Sequence, residues 1–311
     1  MRLLIALQAS CILAAIASAG CDDGSGGRVD GGADAAVDAG TDGGADAGPD
    51  GGGADAGTDA GPDGGGDTDS CGAEVVEGDF EVVDAGILET LTGVTHVVGN
   101  VSVSGAGIFD LAPFASLRCI DGDLVFTDCA SLAHLDGLEG LAAIGGNLVV
   151  GWNAALFDAD GLAGLGQVGG AIWVTSNPVL GSVDLPALAV VGADVSFTEN
   201  PSLSSVDASA LPATGGDLEI AYCDAISGLA GFGALEAIGG ALYIQMNPSL
   251  LTLDGLAALE TVATGVFVEA NVALPTCEVD DLVSQLDDFD GEVCVEGNAA
   301  DECPDTTDGC L

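Results

Sequence analysis

The chain has 311 residues, with 50 Asp and Glu against 3 Lys and Arg and a formal net charge of −47 at pH 7. Phosphate recognition depends on clustered basic side chains, so nucleic acid and anionic lipid headgroups are excluded as partners, and the charge suits a soluble, non-adhesive surface protein or one living in salt. The longest uncharged interior stretch, 161 to 183, is broken by several glycines, Gln167, Asn177 and Pro178, and reads as repeat core rather than as a membrane helix.

The chain opens with "MRLLIALQASCILAAIASAGC": one positive charge, a short apolar run and small residues before a cysteine. This is the pattern of an export signal, too short and too cleanly ended to span a membrane. "SAGC" at 18 to 21 resembles the lipobox of bacterial lipoproteins, with Ser18 where that family usually has an aliphatic residue. The resemblance implies a signal peptide over 1–20 and a lipidated Cys21, so that the membrane is touched only through a lipid anchor. In such lipoproteins, acidic residues at the positions of Asp22 and Asp23 can influence which membrane keeps the anchor.

Residues 22 to 70 are almost wholly Asp, Gly and Ala with Thr and Pro and have no aromatic residue. A segment that can bury nothing is expected to be a disordered tether, spanning roughly 35 to 42 Å on average. Its acidic spacing lacks the alternate-residue ligands of an EF-hand loop and the large apolar position of calcium-binding nonapeptides, which favours a spacer; weak calcium binding stays open.

From there the chain repeats. Leu124, Leu148, Ile172, Val195, Leu218, Leu242 and Val266 recur at steps of 24, 24, 23, 23, 24 and 24 along the sequence. Two residues on stand Phe126, Val150, Val174, Phe197, Ile220, Ile244 and Val268, the period-two signature of a strand with one buried face. Five on stand Cys129, Asn153, Asn177, Asn200, Cys223, Asn247 and Asn271; eight on stand Leu132, Leu156, Leu180, Leu203, Ile226, Leu250 and Leu274. A degenerate copy begins at Val101, with Val103, Ala106 and Phe109 in the same columns, and another lies around "GDFEVV", 78 to 83.

A rung of this length cannot cover its own apolar face and must stack on its neighbours, so 71–275 is expected to form an all-β-rich solenoid. Gly-Gly pairs at 145, 169, 215 and 239 precede the strands, where a left-handed backbone or a tight corner favours glycine. Asn in the fifth column predicts an inward ladder of amides satisfying the peptide groups freed at a corner. Cys129 and Cys223, in the same column, read as small buried thiols.

"LxVxxN" followed by Leu resembles leucine-rich repeats, and "GGxLxVxxNPxLxxLxGLxxLxxV" resembles the receptor L domain, over about residues 72 to 275. The resemblance implies right-handed stacked repeats with a period of 23 to 24, and an exposed recognition domain for protein or glycan. Copies such as 180 to 192 drop the "GL" motif, and receptor signalling does not carry over. Together with the lipobox and tether, the whole resembles surface lipoproteins of high-GC Gram-negative bacteria, with localisation at the outer membrane or cell surface.

In an exported chain cysteine pairing is expected. Cys71 and Cys119 are placed to staple the first rungs. Cys277, Cys294, Cys303 and Cys310 cluster after the last rung, in a Cys-rich C-terminal cap over 276–311; three connectivities are open, with Cys277–Cys294 and Cys303–Cys310 preferred. Val279, Leu282, Val283, Leu286 and Phe289 form a helical stripe suited to covering the open end of the solenoid. No metal site is expected there, since CxxC pairs are missing and neither histidine is near.

No catalytic constellation emerges, and no cofactor is expected. Any Ser-His-Asp arrangement would have to recruit His96 or His134, neither of which lies in a nucleophile motif. "GLGQVG", 164 to 169, precedes a strand instead of following one, and rungs this short exclude a (β/α)₈ barrel. A hydrolase using paired carboxylates remains a remote alternative. The aromatic residues are more informative: Trp152, Trp173, Tyr222 and Tyr243, joined by Met246 and Phe267, fall on outward strand positions or the following corner. They predict an aromatic stripe among Thr127, Thr175, Thr198, Glu219, Gln245 and Glu269, a face suited to a sugar or a protein; stacking of strand-favouring aromatics on one another is the structural alternative. The function expected is non-enzymatic binding at the cell envelope, with a passive acidic coat or cation buffer as the alternative.

Overall fold

The computed structural model describes residues 71–300 and 309–310. The signal segment, Cys21, the tether and Cys303 lie outside the described residues. Within them the chain is strand-rich and β-solenoid-like. A long sheet of 11 strands runs Phe80–Val82, Val101–Ser104, Leu124–Thr127, Leu148–Gly151, Ile172–Thr175, Val195–Thr198, Leu218–Ala221, Leu242–Gln245, Gly265–Glu269, Glu292–Glu296 and Gly309–Cys310. A second sheet of 9 short strands, from Val75–Glu77 to Thr261–Val262, lies one turn earlier in each rung. Within both sheets neighbours are successive rungs, paired in parallel, until Gly309–Cys310 returns antiparallel on Glu292–Glu296.

The registers follow the sequence columns: Leu148, Ile172, Val195 and Leu218 are direct partners across four strands. Alternation does the rest, because the partners two residues on point the same way, and Phe126, Val150, Val174, Phe197, Ile220, Ile244 and Val268 are all buried. With the loop leucines they form one continuous apolar core.

Rung length has a structural reason. The rungs starting at Leu148, Leu218 and Leu242 cross the back through a short 3-10 turn at Asp160–Leu162, Ala230–Phe232 and Asp254–Leu256. Of the steps from Leu124 to Val266 the two shorter, starting at Ile172 and Val195, cross it extended, as the paired strands Ser182–Asp184 and Ser205–Asp207; the rung at Val101 keeps a 3-10 turn, Ala112–Phe114, and is short at its corner instead. A 3-10 turn rises about 2.0 Å per residue and a strand about 3.3 Å, so the extended crossing covers the same span with one residue fewer. This is why copies such as 180 to 192 lack the "GL" motif.

Three expectations need correction. The Gly-Gly pairs are not left-handed: Gly145, Gly169, Gly215 and Gly239 are all absent from the positive-φ glycines. They are required by close approach, since a Cβ at Gly169 would drive into the Gly145 carbonyl and one at Gly239 into that of Gly215. In the rung at Val101, Phe109 is 72% exposed and Ala106 is exposed; the corner is one residue shorter, and Ile108 takes the core position. The third correction concerns the cap cysteines. Cys294 bonds Cys310 rather than Cys277, because strand pairing sets Cys294 directly opposite Cys310. Cys277 is disulfide-bonded as well.

The cap helix, Thr276–Gln285, buries Val279 and Leu282 against the last rung, followed by Leu286. The long sheet then continues beyond residue 275 into Glu292–Glu296, paired along its whole length with Gly265–Glu269. The helix therefore replaces one rung's loop and covers the end of the core.

At the other end Cys71 is bonded to Cys119, at a sequence separation of 48. Closing a loop of that size removes freedom from the unfolded chain worth roughly 4 kcal/mol. Cys71→Ser with Cys119→Ser is therefore expected to lower the urea midpoint by an amount equivalent to about 2–4 kcal/mol. Hydrogen exchange should accelerate first at Val75–Glu77 and His96–Val98.

Candidate recognition face

Each rung turns out of the long strand through a residue in the left-handed region. These are Asp128, Trp152, Ser176, Glu199, Tyr222, Met246 and Ala270, with φ between 55° and 58°. The backbone is not left unpaired there: the amides of Trp152, Tyr222 and Met246 donate to the carbonyls of Thr175, Gln245 and Glu269 on the next rung. This conformation costs an L-residue about 1–2 kcal/mol and glycine almost nothing, yet two of the four Trp and Tyr residues of the chain stand in the column.

The next residue turns inward. Asn153, Asn177, Asn200, Asn247 and Asn271 are fully buried. The Asn177 Oδ1 accepts from the Asn153 backbone N–H at 3.1 Å and from its Nδ2 at 3.2 Å, while the Asn177 Nδ2 donates to the Val150 carbonyl at 2.9 Å. The same pattern joins Asn177 to Asn200 and Asn271 to Asn298, and the Asn271 Oδ1 accepts from the Asn247 backbone N–H. Cys129 and Cys223 keep half of it, their thiols donating to the carbonyls of Val103 and Phe197. Both are free and buried, and burial pushes the thiols up to about 11 and about 12, so they are inert at neutral pH.

A second ladder, not anticipated above, lies at the strand's entry. The Asp79 Oδ1 accepts from the Asn100 N–H, Asn100 from Asp123, Asp123 from Asn147, and Asn147 from Ala171. Asp194 and Asp217 do the same for Asp217 and Ala241. Here each side chain accepts from the following rung, whereas in the Asn column it accepts from the preceding one. The available signal was an Asp or Asn immediately before the first strand position.

The outward residues of the strands form the face. Register places Val149, Trp173, Ser196, Glu219, Tyr243 and Phe267 side by side, and beyond them Thr175, Thr198, Ala221, Gln245 and Glu269. The expected stripe is therefore interrupted. Trp152 and Trp173 stand on adjacent rungs, Tyr222, Tyr243, Met246 and Phe267 on the last three repeats, and Ser196, Thr198 and Glu199 lie between the groups. Trp173 and Tyr243 are three strand spacings apart, about 14 Å. Tyr243 and Phe267 stack at 4.8 Å between ring centroids and 10° between planes.

The polar residues of the face bond to one another along it: Ser196 Oγ to Glu219 at 2.8 Å, Thr198 Oγ1 to Thr175 at 3.0 Å, and Gln245 Nε2 to Glu269 at 2.7 Å. Burial raises the Glu219 carboxyl above the usual range, helped by Asp217 and Asp194, and Ser196 offsets part of this. Burial and Glu296 raise Glu269. Burial, then Asp217, Glu219 and Glu292, raise the Tyr243 phenol.

Elsewhere His96 is buried against Asp121, and His134 Nδ1 lies 2.7 Å from Asp158 with Phe157 at its edge. Ser182 lies on the rung after Asp158. The rung order His134, Asp158, Ser182 places the carboxylate between imidazole and hydroxyl, the reverse of a relay in which histidine bridges the two. Glu269, Cys294 and Cys310 lie within 4.8 Å of one another, but the sulfurs are joined, leaving one carboxylate and no thiolate for a metal. No helix among the described residues is long and apolar enough to cross a membrane. No family model matches the chain, and neither does any curated protein or solved structure.

Proposed function

We propose that the chain is a non-enzymatic, lipid-anchored recognition module of the bacterial cell envelope, similar in architecture to the leucine-rich repeats of receptor L domains. The export signal and Cys21 provide the anchor, the acidic tether holds the domain clear of the lipid, and the outward strand face binds a protein or carbohydrate. One observation carries this reading: Trp152 and Tyr222 occupy corner positions whose backbone favours glycine, beside Trp173, Tyr243 and Phe267 on the strands. Large rings kept at a conformational cost, on the side away from the core, point to a role in contact.

The same geometry separates binding from folding. Trp152→Gly with Tyr222→Gly relieves backbone strain while removing both rings, so the melting temperature should hold within a few degrees. Affinity for an envelope protein or glycan captured by the wild-type chain should fall by about tenfold or more. Trp173→Ala with Tyr243→Ala should do the same. Undiminished binding by both double variants would sink the proposal.

The acidic-coat reading has its own support in a row of carboxylates on the back. Asp136, Asp160, Asp184, Asp207, Asp254 and Glu278 recur at one repeat position, and burial together with Asp160, Asp207 and Asp158 raises the Asp184 carboxyl. Stoichiometric calcium uptake by the full chain, unaffected by the aromatic substitutions, would favour it.

A further inference from the structure

We propose that the partner of this face is a cationic polypeptide, with a Lys or Arg side chain seated at Tyr243 and Phe267 between Glu219 and Glu269. The inference rests on the recognition-face reading and narrows it to one ligand chemistry. Its first support is the ring geometry. Tyr243 and Phe267 lie nearly parallel at the strand spacing, so each spends a ring face on the other. A pyranose needs a broad open ring face, whereas a Lys or Arg side chain can lay its apolar stem across the ring edges and set its charged head over the one face that each ring keeps free of the stack.

The second support is charge. Tyr243 has Glu219 as its strand partner on one side and Phe267 on the other, and Gln245 beside it is bonded to Glu269. Asp217 and Asp194 line the strand entry next to Glu219, and Glu296 pairs with Glu269. Among the described residues Arg118 is the sole Lys or Arg, and its guanidinium donates to the carbonyls of Leu117 and Ala115. The carboxylates around the aromatic pair therefore have no Lys or Arg counterion among the described residues. Burial first, then Asp217 and Asp194 for Glu219 and Glu296 for Glu269, hold both above the ordinary carboxylate range, a penalty that an incoming cation removes.

The third support is fit. From Trp173 to Phe267 the face spans four strand spacings, about 19 Å, which an extended segment of about six residues covers. A basic segment crossing it would meet Trp173, Glu219, Tyr243 and Glu269 in turn.

The experiment must separate this site from the charge of the whole chain. Nonaarginine and its nonaglutamine counterpart are titrated into the full chain by calorimetry at about 150 mM NaCl, where remote charges are screened beyond about 8 Å. Glu219→Gln with Glu269→Gln, and separately Tyr243→Ala with Phe267→Ala, should each weaken nonaarginine about tenfold. Glu77→Gln with Glu260→Gln, which removes as much charge from exposed positions away from the face, should change affinity less than about twofold. Equal losses from the face and control variants, or binding of nonaglutamine as tight as nonaarginine, would overturn the inference, as would no binding at all. Thermal melts of each variant show that the fold is retained. If nonaarginine fails while Trp173→Ala with Tyr243→Ala still abolishes capture of an uncharged glycan or protein, the cationic partner falls and the recognition face stands.

Discussion

Asn177→Ala is expected to be among the most destabilising single substitutions in the solenoid, at about 3–5 kcal/mol. It strands the buried Asn153 backbone N–H, removes the Asn153 amide's partner and takes away one of the bonds that the Val150 carbonyl accepts. Each orphaned buried group costs about 1–3 kcal/mol, before any loss of packing. The protein contains its own control in Cys129 and Cys223, whose thiols replace the amide's donated bond to the preceding strand. Asn177→Cys should therefore cost only about half as much. Urea unfolding gives the order: wild type, then Cys, then Ala. A result in which Ala is tolerated better than Cys would mean that the column is held by shape and not by hydrogen bonds. Stability in stacked repeats passes from neighbour to neighbour, so a central break is also expected to lower cooperativity, seen as a smaller m-value.

The domain is expected to be more stable at pH 5 than at pH 8, opposite to the acid sensitivity of most proteins. Asp184, Glu219 and Glu269 are raised in the fold, by burial first and then by neighbouring carboxylates. For a group raised on folding, the favourable contribution is complete below its unfolded value, near 4 for a carboxylate, and is lost as pH climbs through the raised folded value. Lowering the pH from 8 towards 5 therefore recovers stability, and general relief of repulsion in a chain of net charge −47 acts in the same direction. A melting temperature higher by roughly 5 °C at pH 5 is expected, with the gap narrowing in about 0.5 M NaCl. Glu219→Gln should raise the pH 8 value and flatten the profile. A melting temperature that falls steadily between pH 8 and pH 5 would contradict this account.

The proposed recognition face was only partly legible. The five aromatic residues and Met246 lie on or beside the outward strand positions, because alternation decides which side of a strand a residue occupies. Their continuity was not legible, since it depends on which residues stand in the intervening rungs, and Ser196, Thr198 and Glu199 divide the set. The left-handed column was not legible for another reason. Glycine usually marks such a backbone and does so at Gly105 in the rung at Val101, but from Asp128 onward other residues, Trp152 and Tyr222 among them, hold the left-handed corner, while the Gly-Gly pairs mark close packing at the strand entry.

What the amino-acid order determined by itself is the rung. A period of 23 to 24, alternating apolar positions and a recurrent Asn or Cys are local properties, and once one rung stacks on another the parallel register carries them through the whole domain. The tertiary structure decided everything that depends on a contact outside that period. It joined Cys294 to Cys310 through an antiparallel return, placed Ile108 where Phe109 was expected, and ran the two side-chain ladders in opposite directions. Periodicity specifies what lies one rung away, whereas chain ends, corners and shortened loops are settled by the geometry of closing the core.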